Sequence, residues 1–385
     1  MTRNPMLLKL RLVFSFLLLA ATVAVVWHFG RRPKPTAALG QAGLWVVSDT
    51  VTLRGDAEPL TSSAIWDGTS IKLAGSRNEV VAWQVAARAA EAVAQASLKL
   101  APFRSGEQSL PGGAVALFRE HYLEVTAPSQ LSSTEPVPHG LGPGWYPCQA
   151  VPLKVGEAVE VPAGRVAAFW VDVTIPADAR PGLYTSSLEV TAGSQRATWP
   201  VQLEVLPLSM PRETHFTNWF YYGPEMLAEF YQTQNDAELM AYEQVYQQLA
   251  HDHRMTLATE PMLGDGRFNW SAWWARYGGY LDGSAFTRGP GRGAGATCWP
   301  IGLSHEATPE DFAAACRSAV AFFKGRGLLE KVFTCIWDEP GDKAAYDRIR
   351  ELGRQVDEAV GNRLPVMVTE QVQPQEPGWG SLLPA

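Results

Sequence analysis

Cysteine is scarce. Cys148, Cys298, Cys316 and Cys335 are the only four in 385 residues, too few and too scattered for a disulfide framework. None lies at metal-ligand spacing from another, so buried free thiols are the expected state. Charged residues make up only 18% of the chain against 46% hydrophobic, which excludes a disordered polyelectrolyte. Glycine and proline are frequent but follow no period, which excludes collagen and points to many turns. The glycine-rich run Gly289–Gly295 lacks the Lys-Ser/Thr of a phosphate-binding loop. Basic charge is thin outside the N-terminus. Arg3, Lys9, Arg11, Arg31, Arg32 and Lys34 stand in the first 35 residues without an acid, so the rest is more acidic than the net −7 of the whole. Such a body repels a phosphate backbone, and nucleic acid is not an expected partner. No cofactor or metal is implied.

Long uncharged apolar runs are also few. The one from Leu12 to Phe29 is just long enough to span a bilayer, and basic residues flank it. Residues 1–35 therefore read as a signal anchor, which makes the membrane a partner and transmembrane helix the expected state. A cleaved signal peptide is the alternative. Either reading exports the body to the periplasm or the extracellular space, membrane-anchored or secreted. Residues 36–42 read as a linker.

Residues 43–211 read as a β-sandwich domain. Val166–Ile175 alternates, and so does Tyr184–Val190. Ala192–Gln195 is a turn before the strand of Val201, Leu203 and Val205. The run Asn78–Ala90 is too apolar for an exposed strand. Residues 129–149 look loop-like, with Trp145 and Tyr146 beside a turn.

After Pro211 the period changes. Strands are predicted at 215–222, 255–259, 297–303, 332–337 and 364–369. Between them lie helices capped at Asp236, Thr308 and Asp342 and an aromatic-rich helix over 270–280. Strict alternation argues a parallel sheet with crossover helices, with a (β/α)8-type barrel as the closed form. Such a barrel takes about 250 residues. Residues 212–385 fall short of that, so the barrel is expected to be incomplete, with about five strands, and this chain to be inactive by itself if it is a fragment.

The most informative stretch is Thr334–Asp342. A buried strand ends in Asp338 and Glu339, and Pro340-Gly341 turns the chain into a helix. Carboxylates at the C-terminal end of a barrel strand stand where such folds place catalysis. Two adjacent acids on an apolar strand are costly to desolvate, which tends to split their pKa values as an acid–base pair requires. The alternative is that they only cap the next helix. Trp219 and Tyr222 end the first predicted strand, Trp299 lies in the third, and Trp337 precedes the acids. Aromatic faces stack on sugar rings, so these four are candidate substrate contacts. Glu260 and Glu370 also end strands; one of them is expected to face the site, a surface location being the alternative, and Glu370 joins the candidate substrate contacts.

The segments RNEVVAWQV (77–85), GWYP (144–147), FWVDVTIPADARPGLYTSSLEV (169–190), VLPLSMP (205–211), HFTNWF, IWDEP (336–340) and VTEQ (368–371) together resemble glycoside hydrolase family 123-like proteins. The resemblance covers residues ~43–385 and implies a sandwich followed by a barrel. It also implies hydrolysis of β-linked N-acetylgalactosamine, a carbohydrate substrate and substrate-assisted acid catalysis. Asp338 would orient the 2-acetamido group and Glu339 would be the general acid. Two alternatives are kept. One is a retaining glycosidase in which Glu370 is the nucleophile opposite Glu339, at the ~5 Å separation of that class. The other is a non-catalytic glycan-binding or cell-surface protein.

Overall fold

The computed structural model describes residues 43–127, 142–154, 156–371 and 374–382. They divide into two compact units between Met210 and Pro211.

Alternation builds the first unit. Over Gly182–Ala192 the buried side chains include Tyr184, Leu188 and Val190, and over Gln195–Ser209 they are Trp199, Val201, Leu203 and Val205. The antiparallel register sets Leu188 opposite Trp199 and Tyr184 opposite Leu203, so one face of this hairpin is apolar and must be covered. The strands are β1 (Gly43–Ser48), β2 (Ile71–Arg77), β3 (Glu79–Arg88), β4 (Val93–Leu100), β5 (Arg104–Ser105), β6 (Gln108–Ser109), β7 (Val115–Val125), β8 (Gly144–Pro152), β9 (Val159–Val161), β10 (Val166–Ile175), β11 (Gly182–Ala192) and β12 (Gln195–Ser209). One sheet has the order β1-β3-β10-β7-β8. The other runs β2-β12-β11-β4-β9, with β5 against β11 and β6 against β5. The pairings are antiparallel except that of β2 with β12.

Both sheets contribute to one core around the fully buried Trp45, Trp83, Phe103 and Phe169. Residues 83–87 of β3 are buried on both faces, as the apolar run 78–90 requires. The polar member, Gln84, is satisfied there because its amide donates to the Ser48 and Val51 carbonyls at 2.8 Å each. The loop expected over 129–149 is strand from Gly144 onward. Antiparallel pairing with β7 across a bulge at His121/Tyr122 extends order through GWYP, and residues 128–141 lie outside the described residues.

The second unit contains β13 (Phe220–Tyr221), α1 (Pro224–Phe230), α2 (Asp236–Asp252), β14 (Leu257–Ala258), β15 (Met262–Leu263), α3 (Trp270–Asp282), β16 (Trp299–Leu303), α4 (Pro309–Lys324), β17 (Val332–Asp338), α5 (Lys343–Val360) and β18 (Val366–Thr369). β13 and β14 pair in parallel, and β15-β16-β17-β18 form a second parallel sheet. Between β14 and β15 the strand is interrupted at Thr259-Glu260-Pro261, where proline brings no N–H to a ladder. The result is a curled, open half-barrel, a partial α/β barrel-like arrangement.

Local chemistry explains the helices. The Thr308 hydroxyl accepts from the Asp311 N–H with Pro309 at the first helical position, and Asp342 caps α5 by accepting from Ala345 N–H at 2.8 Å. At α2 the cap is Asn235, one residue before the expected Asp236. Tyr346, Ile349, Leu352 and Val356 of α5 recur every three or four residues and are buried. The first predicted strand, 215–222, shrinks to Phe220–Tyr221. Asn218 is taken out of the ladder by bonds that tie neighbouring strand starts together: its N–H donates to Thr297 Oγ1, and its side-chain oxygen accepts from Thr256 N–H at 2.7 Å.

The membrane expectation is corrected. Among the described residues no helix is long and apolar enough to cross a membrane, because the longest helices, α2 and α5, carry charges along their length. The described structure thus gives no transmembrane helix, no membrane partner and no membrane-anchored location. Residues 1–35, on which those expectations fell, lie outside the described residues.

Candidate functional site

In a parallel sheet all strands end on the same side, so Tyr222, Glu260, His305, Asp338 and Glu370 follow strands at one end of the half-barrel. The strand-to-helix junction at Asp338-Glu339 has the sharpest local geometry among them. β17 buries Val332, Thr334 and Ile336 on one face and leaves Phe333, Cys335 and Trp337 half-buried on the other. Glu339 then adopts φ +45°, a left-handed conformation that costs a glutamate on the order of 1 kcal/mol or more. That kink ends the alternation which would send the side chains of residues 338 and 339 to opposite faces. The chain therefore turns one residue earlier than the Pro340-Gly341 expected from sequence.

Thr369 locks the kink. The register places it opposite Asp338. Its hydroxyl donates to Asp338 Oδ1 at 2.6 Å and accepts from the Glu339 N–H at 2.7 Å. One hydroxyl on the neighbouring strand thus orients the first carboxylate and holds the backbone of the second. Both acids are exposed, which departs from the expected desolvated pair. The carboxyl that carries the burial cost is Glu260. It is half-buried, and its pKa is raised first by desolvation and then by the negative charge of Asp338. The Cys335 thiol is pushed up to about 11, mainly by burial and then by Glu260, with a smaller contribution from Asp338. The Asp338 charge therefore reaches both Glu260 and Cys335.

The candidate aromatics separate into two groups. Trp337 remains half-buried against the His305 ring, with centroids 5.0 Å apart, and Trp219 is half-buried edge-on to Phe333 at 5.5 Å. Trp299 opens β16, at the end of the strand away from the acids. It is fully buried between Trp273 and Tyr277. Tyr222 is buried too, its hydroxyl donating at 2.9 Å to Glu243, a carboxylate in the helix layer. Glu370 follows β18. Its oxygens accept from Gln371 N–H at 2.6 Å and from the Gln375 amide at 2.8 Å, which hold its carboxyl below the usual range.

Sequence reasoning gave no role to Thr369 or His305 and left Glu260 outside the candidate set. Their shared signal is position, at or just past the last residue of a parallel strand. The four cysteines are free. Cys298 donates its thiol hydrogen to the Asn218 carbonyl.

No family model matches the chain, and no curated protein matches it. Among solved structures, the chain is similar to a family 123 glycoside hydrolase from Clostridium perfringens, described in work on glycolipid glycan hydrolysis. The TM-score is 0.60 at 12% identity, over 88% of this chain and 65% of that one. The chain thus spans a little under two thirds of that hydrolase, and the likeness shows kinship of fold alone. A putative membrane-anchored protein from Corynebacterium diphtheriae is similar at TM-score 0.21 and 10% identity, over 47% of this chain and 39% of that one, a score too low to carry an argument.

Proposed function

We propose that this protein is a glycoside hydrolase acting on β-linked N-acetylhexosamine glycans of the N-acetylgalactosamine type, by substrate-assisted acid catalysis. The observation that carries the reading is the Thr369 bridge, which fixes Asp338 and the Glu339 backbone at a left-handed strand end. Fold-level likeness to a family 123 glycoside hydrolase supports it, as does the motif IWDEP at 336–340. In the same reading the first unit is a β-sandwich, and the half-barrel follows the (β/α)8 plan.

In this mechanism the substrate's acetamide oxygen attacks the anomeric carbon as the glycosidic bond breaks. Glu339 gives its proton to the departing oxygen, and the product is a bicyclic oxazoline. Asp338, oriented by Thr369, accepts a hydrogen bond from the acetamide N–H and balances the charge that develops on it. Water, deprotonated by Glu339, then opens the oxazoline with net retention at the anomeric carbon. Trp337 and Trp219 supply apolar faces for the sugar ring. Glu260, whose pKa is raised by burial and then by the Asp338 charge, adds a further carboxyl group to the polar contacts of the substrate. The expected result is hydrolysis of an aryl 2-acetamido-2-deoxy-β-galactoside and none of its 2-hydroxy counterpart, measured as release of the phenol. Equal cleavage of both, abolished by Glu370→Gln, would instead establish the Glu339/Glu370 retaining pair, for which the ionised state of Glu370 is suited.

A further inference from the structure

The loop after β18 is tied back to the turn that carries Glu339. Pro340, the residue that follows Glu339, is buried, and its carbonyl accepts from the Gln375 side-chain amide at 3.1 Å. The same nitrogen donates to Glu370 Oε2 at 2.8 Å, while the Gln371 N–H donates to Glu370 Oε1 at 2.6 Å. A primary amide has two N–H donors, and here there is one acceptor for each. The Glu370 carboxyl is held below the usual range first by the Gln371 N–H and then by this amide, so the acceptor is ionised and the bond is charge-assisted.

Gln375 is itself placed by the segment that runs on from it. Trp379 meets the fully buried Tyr346 ring of α5 edge-on, with centroids 5.2 Å apart. Arg350 of the same helix donates to the Ser381 carbonyl at 3.3 Å, and the Gln375 N–H donates to the Tyr346 hydroxyl at a long 3.5 Å. Residues 374–382 thus form a strap across the first turns of α5.

A left-handed glutamate persists only where its surroundings over-determine it. Thr369 holds the Glu339 N–H on one side, and Gln375 holds the carbonyl of the next residue on the other. Past Pro340 a Cβ on Gly341 would meet nothing within 4 Å, so packing does not fix the turn there. We propose that Gln375 is a positioning residue for the general acid: its amide, anchored on Glu370, fixes the Pro340 carbonyl and so the direction in which Glu339 leaves the strand end. Glu370 then serves as the anchor of that amide, not as a nucleophile. The proposal rests on the reading of Glu339 as the acid.

The test pairs amide hydrogen exchange with kinetics on the 385-residue chain carrying Gln375→Glu, which removes both donors, or Gln375→Lys, which keeps an N–H for each acceptor. Gln375 is exposed, so neither change should threaten folding. Exchange of the Glu339 amide should be roughly five- to tenfold faster in Gln375→Glu and close to the parent's in Gln375→Lys. A side chain that only fills space would make the two variants alike. On alkyl 2-acetamido-2-deoxy-β-galactosides Gln375→Glu should lower kcat about tenfold with little change in KM, and the loss should shrink on dinitrophenyl glycosides. Unchanged exchange in Gln375→Glu would overturn the proposal. So would a rate loss equal across all leaving groups, which would detach the turn from the acid. The exchange arm needs no substrate. Faster exchange in Gln375→Glu beside a parent that cleaves neither glycoside would uphold the tie to the turn and overturn the acid reading instead.

Discussion

Glu339→Gln is expected to slow hydrolysis of alkyl 2-acetamido-2-deoxy-β-galactosides by roughly 10²–10⁴-fold, the usual worth of a positioned general acid. The loss should shrink to a few-fold on dinitrophenyl glycosides, whose leaving groups depart without a proton. Asp338→Asn should behave differently. It acts on the acetamide nucleophile, so its rate loss should be similar across the whole leaving-group series. A Brønsted plot of kcat/KM for both variants separates the two roles. Parallel slopes for wild type and Glu339→Gln would remove Glu339 from the acid's position. The same plot reads the Thr369 bridge: Thr369→Val deletes the hydroxyl that serves both residues and should lower rates on every substrate, most on those with poor leaving groups.

The second large effect is on stability. Arg276→Ala is expected to destabilise the second unit by roughly 2–4 kcal/mol, slightly under the usual cost of orphaning a buried charge because a quarter of the Arg276 side chain is exposed. Glu243 is buried on α2. Arg276 of α3 meets its Oε2 through Nε at 2.9 Å and Nη2 at 2.7 Å, and Tyr222 and Tyr277 donate their hydroxyls to Oε1 at 2.9 and 3.3 Å. Removing the guanidinium leaves a carboxylate in the helix layer with two phenols and no cation. Adding Glu243→Gln to Arg276→Ala should recover most of the loss, since a neutral amide still accepts from both tyrosines. Chemical denaturation of the two variants measures the difference. Equal stability of Arg276→Ala and the parent would mean that the pair is solvated.

The elements were legible where pattern and capping coincide. Thr308-Pro309 and Asp342 start helices as their chemistry demands, and Val332–Trp337 is strand because a continuous apolar run fits a strand covered by helices. Legibility ended where tertiary contacts decide. Nothing local to 215–222 indicates that Asn218 bonds to Thr256 and Thr297 instead of to a strand. The run 144–149 is turn-rich in composition, yet it is strand because β7 pairs with it.

The site was half legible for a related reason. A carboxylate pair at a strand end is a sequence feature, and Asp338-Glu339 was read from it. Which ring faces the opening is not, because strand residues alternate between two faces that are both apolar here. Trp299 could have been set aside, since it opens its strand rather than ending it. Tyr222 could not, because the partner that holds it, Glu243, comes 21 residues later on a helix. Glu260 shows its importance only through the burial and the Asp338 charge that raise its pKa.

The central claim is that Asp338 and Glu339 form a site that uses the sugar's own acetamide. Its most direct test is calorimetric binding of a thiazoline fused across C1 and C2 of galactosamine, a stable analogue of the oxazoline. Substrate-assisted catalysis predicts that it binds at least 10²-fold tighter than N-acetylgalactosamine, as transition-state-like ligands do, and that Asp338→Ala removes the advantage. Binding no tighter than that of the free sugar, or unchanged by Asp338→Ala, would contradict it.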